Sequence, residues 1–102
     1  MARHTEAMER VAAAILDTPG DTDAALRVEV EAFAAGRETP GIPAELRPYI
    51  EKVAKSAYKV VDADIDRLRE AGYSEDAIFE LTLAAALGAA RARLDAGLEA
   101  MR

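Results

Sequence analysis

The sequence predicts an all-α protein in which five to six helices form a bundle. Apolar residues recur at intervals of three and four along most of the 102-residue chain, which is the spacing of one face of an α-helix. Alanine, the residue with the highest helix propensity, is the most common apolar residue. Signals for strands are nearly absent, because Val60 and Val61 form the only adjacent pair of β-branched residues.

The first part of the chain, residues 1–36, predicts a hairpin of two helices. The first helix is capped by Thr5, and a Pro-Gly turn ends it. The second helix is capped by Thr22 or Asp21 and ends before Gly36, which can adopt the left-handed conformation that closes a helix. The charged residues of the second helix are expected to face water; they are Arg27, Glu29 and Glu31.

Residues 37–47 predict a Pro/Gly loop followed by a short helix that starts at Pro43. Pro48 is expected to begin the next helix or to kink a continuous one, and the apolar stripe of this segment extends from Tyr49 to Val61. A further short helix follows, with Asp62 as its cap and with Gly72 just after its end. Ser74 is the predicted cap of the last helix.

The last helix is predicted to be long and apolar. From Glu75 to about Leu98 it would span roughly 24 residues, or about 36 Å. No charged residue occurs between Leu81 and Ala90, so we expect this helix to be covered on most of its sides. Gly88 interrupts the Ala/Leu pattern, which indicates close approach of a neighbouring helix.

The predicted core is thin, because alanine accounts for much of the 51% apolar content. A helix with two apolar stripes then needs more cover than one small subunit supplies. We therefore expect a homo-oligomer, either a dimer, a trimer or a hexamer. The expected contact residues are the leucines of the outer stripe of the last helix, Leu83, Leu87, Leu94 and Leu98.

Composition excludes several chemistries. The chain has no cysteine, so it has no disulfide, no thiol nucleophile and no thiolate metal site. Its single histidine, His4, is expected to be an exposed residue near the start, and we predict no metal site and no cofactor. A net charge of −6 argues against nucleic acid as a partner. No apolar run is long enough to span a membrane, and residues 1–10 lack a signal-peptide core, so we expect a cytoplasmic protein.

The segment from Tyr49 to Leu98 resembles the alkylhydroperoxidase D-like (AhpD-like) and carboxymuconolactone decarboxylase family. It is most similar to the C-terminal half of the peroxidase-related members, in which an acidic helix start and an Ala-Gly-x-Ser turn lead into a long apolar helix. The matching residues are Asp62, Asp64, Leu68, Arg69, Ala71, Gly72, Ser74, Ile78 and Glu80, and Arg93 matches downstream. The resemblance covers about half of the chain.

The resemblance implies a helical fold that assembles into oligomers, but it does not carry over the family's redox activity. The redox-active members reduce peroxides with a Cys-x-x-Cys pair, assisted by a Glu and a His, and this sequence has no cysteine. The decarboxylase branch also has a motif histidine, and His4 lies far from the matching segment. The resemblance therefore implies a redox-inactive relative.

Three residues are candidates for binding a small molecule. Glu80 matches a family carboxylate at the head of the apolar helix, Arg93 matches a family arginine, and Tyr58 lies on an apolar stripe. Helix capping, surface ion pairs and core packing are the alternative roles of these residues. No residue is predicted to be catalytic, and enzyme activity stays open.

Three functions therefore remain. The first is an oligomeric accessory or small-molecule-binding protein. The second is a cysteine-independent enzyme of the lyase type that uses Glu80 and a tyrosine or arginine. The third is a helical module that binds another protein.

Overall fold

A computed structural model describes the backbone of residues 2–102 and the side chains of residues 5–102. The His4 side chain, predicted to be exposed, lies outside the described residues. Five α-helices follow one another: α1 (Ala2–Leu16), α2 (Ala24–Ala34), α3 (Arg47–Ser56), α4 (Asp62–Glu70) and α5 (Glu75–Ala100). A single 3-10 turn, Ala57–Lys59, joins α3 to α4, and residues 2–102 contain no strand. The predicted all-α class is confirmed.

Helix α5 lies at the centre of the arrangement. Helix α2 packs along it most extensively, α3 makes the next largest contact, and α1 and α4 add smaller ones. The largest fully buried side chains come from α2, from α3 and the residue before it, and from α5; they are Val30, Leu46, Ile50 and Leu81. Both helices of the predicted N-terminal hairpin thus contact α5 more than they contact each other.

Several helix ends lie where the sequence predicts them. Gly36 and Gly72 follow α2 and α4 with φ angles of 95° and 102°, the left-handed region that glycine adopts without strain. The Ser74 hydroxyl caps α5 by accepting a hydrogen bond from the Ala77 N–H at 3.0 Å. Pro48 lies in the first turn of α3, where its missing N–H costs nothing.

The prediction of a short helix that starts at Pro43 is wrong. Residues 44–46 form only a turn, closed by a hydrogen bond from the Leu46 N–H to the Pro43 carbonyl at 3.0 Å. A continuous helix would need an N–H on residue 48 to bond with the Ala44 carbonyl, and Pro48 has none. A new helix therefore starts at Arg47.

The apolar stripe predicted from Tyr49 to Val61 is also shorter than expected. Helix α3 ends at Ser56, whose backbone (φ −151°, ψ 53°) leaves the helical region. Tyr49, Ile50, Val53 and Ala54 are buried as predicted, whereas Tyr58 and Val61 lie beyond the helix and are exposed.

The C-terminal helix has the predicted length, but the prediction of a long apolar helix is wrong. Its buried residues lie between Ala77 and Ala89, while the last ten residues, 91–100, include Arg91, Arg93 and other charges and are largely exposed. None of the helices that the structure describes combines the length and the apolar character needed to span a bilayer.

Two of the charged residues that were predicted to face water on α2 are buried. Arg27 is 3% exposed and donates hydrogen bonds to the carbonyls of Ile15, at 2.9 Å, and Thr18. Glu31 is 5% exposed and lies 3.4 Å from the Arg91 guanidinium of α5. The carbonyls at the C-terminal end of α1 have no partners within that helix, which is why a buried guanidinium is favourable there.

Candidate functional site

A cleft lies between the C-terminal end of α2, the loop of residues 36–40 and helix α3. Its volume is about 570 Å³. Apolar atoms of Phe33, Ala34, Pro40 and Ala54 line part of it. This volume is within the range of small-molecule sites, which are typically concave and mostly apolar.

Arg47 fixes the loop side of this cleft. Its guanidinium carbon lies 5.1 Å from the centre of the Phe33 ring, in a cation–π contact. One of its nitrogens, Nη2, donates a hydrogen bond to the Thr39 carbonyl at 2.7 Å. Thr39 is itself buried, and its hydroxyl has no hydrogen-bond partner among the described residues. Arg47 thus joins α2, the loop and α3 in one wall.

The charge of the cleft is opposite in sign to that of the chain. The cationic side chains that line it are Arg37, Arg47 and Lys55, and the carboxylates are Glu38 and Glu51. Three positive against two negative charges make the cleft locally positive, although the whole chain carries −6. Arg37 and Lys55 are both exposed, so their charged ends can reach a ligand in the cleft.

Glu80, the first predicted binding residue, lies outside this cleft and binds the α1–α2 connection. Its carboxylate accepts hydrogen bonds from the Asp21 N–H at 2.8 Å, the Thr22 N–H at 2.9 Å and the Thr22 hydroxyl at 2.7 Å. Partial burial alone raises the pKa of Glu80, but these hydrogen bonds and the nearby Arg27 charge together hold that pKa below its usual value. Thr22 and Asp21 were predicted as alternative caps of α2, but both bind Glu80 instead. The residue at the N-cap position of α2 is Asp23.

Arg93 and Tyr58, the other two predicted binding residues, lie near the end of α3. Arg93 donates a hydrogen bond through Nη2 to the Ala54 carbonyl at 2.9 Å, and thereby binds the last turn of α3. Tyr58 is 85% exposed on the 3-10 turn. Glu80 and Arg93 are separated by 13 residues of one helix, or about 20 Å. The structure therefore does not bring the three candidates into one site.

The predicted leucine contact set is divided by the fold. Leu83 and Leu94 are exposed, with 37% and 38% of their surfaces accessible. Leu98 is half-buried. Leu87 is only 6% exposed and belongs to the core of the protomer, so its prediction as a contact residue is wrong.

A partly buried ion pair that the sequence analysis missed lines a smaller cleft of about 260 Å³. Lys52 of α3 donates to both carboxylate oxygens of Asp64 at 2.9 and 3.0 Å. Asp64 also accepts a hydrogen bond from the Val61 N–H at 2.9 Å, which caps α4. The sequence analysis assigned the cap to Asp62, which is instead the first residue of α4. It missed the ion pair because Lys52 lies twelve residues away on another helix.

Among the residues whose side chains are described, no group of three or more His, Cys, Asp or Glu is placed to bind a metal ion. No protein-family model, no curated protein and no solved structure matches the chain. The geometry of the clefts and the charges around them therefore carry the functional argument.

Proposed function

We propose that the chain is a redox-inactive protein of the AhpD-like and carboxymuconolactone decarboxylase-like type, which assembles with itself in the cytoplasm and binds a small molecule. The observation that carries the binding role is the 570 Å³ cleft between α2, the 36–40 loop and α3. The Ala71–Ser74 turn and the long α5 support the family part of the proposal, and the lack of cysteine supports the loss of redox activity.

The chemistry of the cleft favours an organic anion with an apolar body. Phe33 and Pro40 offer apolar contact, and a ring can stack beside the Arg47–Phe33 pair. Arg47 already binds the Thr39 carbonyl, so the exposed charges that can meet a carboxylate are those of Lys55 and of Arg37, which also lies 3.8 Å from Glu31. Arginine binds carboxylates in a bidentate geometry, which adds specificity as well as affinity.

A lyase that uses Glu80 is the weaker alternative. A general base must have a pKa near the working pH and a free lone pair facing the substrate. The Glu80 carboxylate has a lowered pKa and already accepts three hydrogen bonds from residues 21 and 22. Those hydrogen bonds support a role in fixing the α1–α2 connection.

An NMR titration of the uniformly labelled protein tests the binding role, with benzoate as the probe and benzyl alcohol as its neutral counterpart. We expect benzoate to shift the amides of residues 33–40 and 47–55 in a saturable way, and benzyl alcohol to bind more weakly. Arg37→Glu should reduce benzoate affinity about tenfold or more, because it places a negative charge beside the carboxylate.

Arg67→Glu is the matched control. Arg37 and Arg67 are both highly exposed, and each lies 3.8 Å from a buried carboxylate, Glu31 and Asp64 respectively. Only Arg37 lines the cleft. Equal losses of affinity in the two variants, or saturable shifts confined to another part of the chain, would rule out this cleft as the binding site.

A further inference from the structure

One face of α5 is exposed along most of the helix, and the hydrogen bond from Arg93 to the Ala54 carbonyl ties one end of it to α3. Its residues lie three and four positions apart in alternation, the heptad spacing of a helix that packs lengthwise against another helix. The residues of this face, called the α5 face below, are Asp76, Phe79, Leu83, Ala86, Ala90 and Arg93, and all six are exposed. Of the two large apolar residues on this face, Phe79 is the more exposed, with 62% of its surface accessible against 37% for Leu83.

The α5 face is complementary to itself when a second copy runs in the opposite direction. Suppose that Leu83 lies opposite the partner's Ala86. Because the helices run in opposite directions, a step of four residues back on one helix corresponds to a step of four residues forward on the other. Phe79 then lies opposite the partner's Ala90. In the same way Asp76, seven residues before Leu83, lies opposite the partner's Arg93, seven residues after Ala86. Every layer thus pairs a large apolar residue with a small one, or an acid with a base, and the two helices overlap over about 26 Å.

A parallel arrangement lacks this complementarity. It would place Asp76 against the partner's Asp76 and Arg93 against the partner's Arg93, and like charges in facing layers are unfavourable. It would also stack Phe79 on itself and leave a gap at the alanine layers. Arg93 uses one nitrogen, Nη2, to bind the Ala54 carbonyl, so its other donors remain for an acid on the partner.

We propose that the α5 face binds a second copy of this chain in the antiparallel orientation, with Leu83–Ala86 layers at the centre and Asp76–Arg93 pairs at both ends. The proposal rests on the oligomer of the proposed function, whose contact surface it names, and it is independent of the cleft. A contact of two helices is at the small end of specific interfaces, so the dimer should dissociate on dilution into the low micromolar range.

Sedimentation velocity over a range of concentrations tests the proposal on the intact chain. We expect a monomer–dimer equilibrium for the unmodified protein. Ala90→Glu should weaken the dimer about tenfold or more, since it places a carboxylate against the partner's Phe79. Ala96→Glu is the matched control, because Ala96 is an exposed alanine of the same helix on a different side, and it should leave the equilibrium unchanged.

Charge exchange tests the register. Asp76→Arg and Arg93→Asp should each weaken the dimer, because each places like charges opposite one another. The double variant should recover most of the loss, as only the antiparallel register pairs these two positions. Circular dichroism on each variant checks that the helices are retained. A mixture of the two single variants should form a heterodimer, which tests independently whether positions 76 and 93 face each other.

Three results would overturn the proposal: a monomer at all concentrations up to the millimolar range, equal effects of Ala90→Glu and Ala96→Glu, or no recovery in both the double variant and the mixture. The benzoate titration, repeated on Ala90→Glu, separates this inference from the proposed function. A variant that is monomeric and binds benzoate normally supports both ideas, whereas an intact dimer that does not bind benzoate contradicts the binding role alone.

Discussion

Gly88 of α5 lies directly against the backbone of Glu31 in α2. A Cβ atom built on Gly88 would stand 2.1 Å from the Glu31 carbonyl oxygen and 3.0 Å from the Cβ of Ala34. The obstacle is backbone, which cannot rotate away as a flexible side chain can. The sequence prediction that a neighbouring helix approaches closely at Gly88 is confirmed, and this contact explains how α2 packs so extensively on α5.

Gly88→Ala is therefore expected to destabilise the protein, although alanine is the better helix former. Overpacking of a tight core site typically costs about 1–3 kcal/mol, which exceeds the roughly 1 kcal/mol gained in helix propensity. Gly97→Ala is the matched control, because a Cβ on Gly97 meets nothing within 4 Å. Urea denaturation should show a lower midpoint for Gly88→Ala and an equal or higher one for Gly97→Ala. A raised midpoint for both would mean that the α2–α5 contact is looser than described.

Local chemistry explains which parts of the fold the sequence could predict. The ends of α2 and α4 follow from Gly36 and Gly72, and the start of α5 follows from Ser74, because each residue acts on the few positions beside it. Pro48 fixed the start of α3 for the same reason. The end of α3 at Ser56 has no comparable local signal, so the predicted stripe extended too far.

The buried charges could not be predicted, because their partners are distant in the sequence. Arg27 and Glu31 are four residues apart, which is the pattern of a solvated helix face. Only the packed structure brings Arg27 to the end of α1 and Glu31 to Arg91 of α5. The cleft lined by Phe33 and Arg47 could not be predicted for the same reason, since its walls come from α2, α3 and the loop between them.

Replacing Arg27 by methionine should destabilise the protein strongly. Methionine fills a similar volume but leaves the Ile15 and Thr18 carbonyls without their donors, and it removes the positive charge near Glu80. Loss of buried, charged hydrogen bonds predicts a decrease of about 2–5 kcal/mol in the free energy of unfolding. Arg67→Met, at an exposed position, should change it by no more than about 0.5 kcal/mol. An Arg27→Met protein as stable as the parent would show that the hydrogen bonds contribute nothing net.

The lowered pKa of Asp64 predicts a loss of stability at acidic pH. The hydrogen bonds from the Val61 N–H and Lys52 outweigh the effect of burial and hold the pKa of Asp64 below its usual 3.8. The folded protein thus binds this proton less tightly than the unfolded chain, so the stabilisation is complete above the usual pKa and is lost as the pH falls through the lowered one. Asp64→Asn should therefore be less stable than the parent at neutral pH, and the difference should shrink as the pH falls below 3.8. Asp66→Asn, which removes an exposed carboxylate from the same helix, is the matched control.

The raised pKa of Tyr73 predicts a loss of stability at alkaline pH. Its hydroxyl donates to Glu45 at 2.9 Å, and burial, this hydrogen bond and the Glu45 charge raise the pKa of Tyr73 from 10.0 to about 12. The unfolded chain loses the proton first, so the stabilisation is complete below pH 10.0 and is lost as the pH rises towards about 12. An ultraviolet titration of tyrosinate absorbance should show a late step that Tyr73→Phe abolishes and Tyr58→Phe retains. Glu45→Gln should move that step to lower pH, and a late step that survives in Tyr73→Phe would contradict its assignment to this residue.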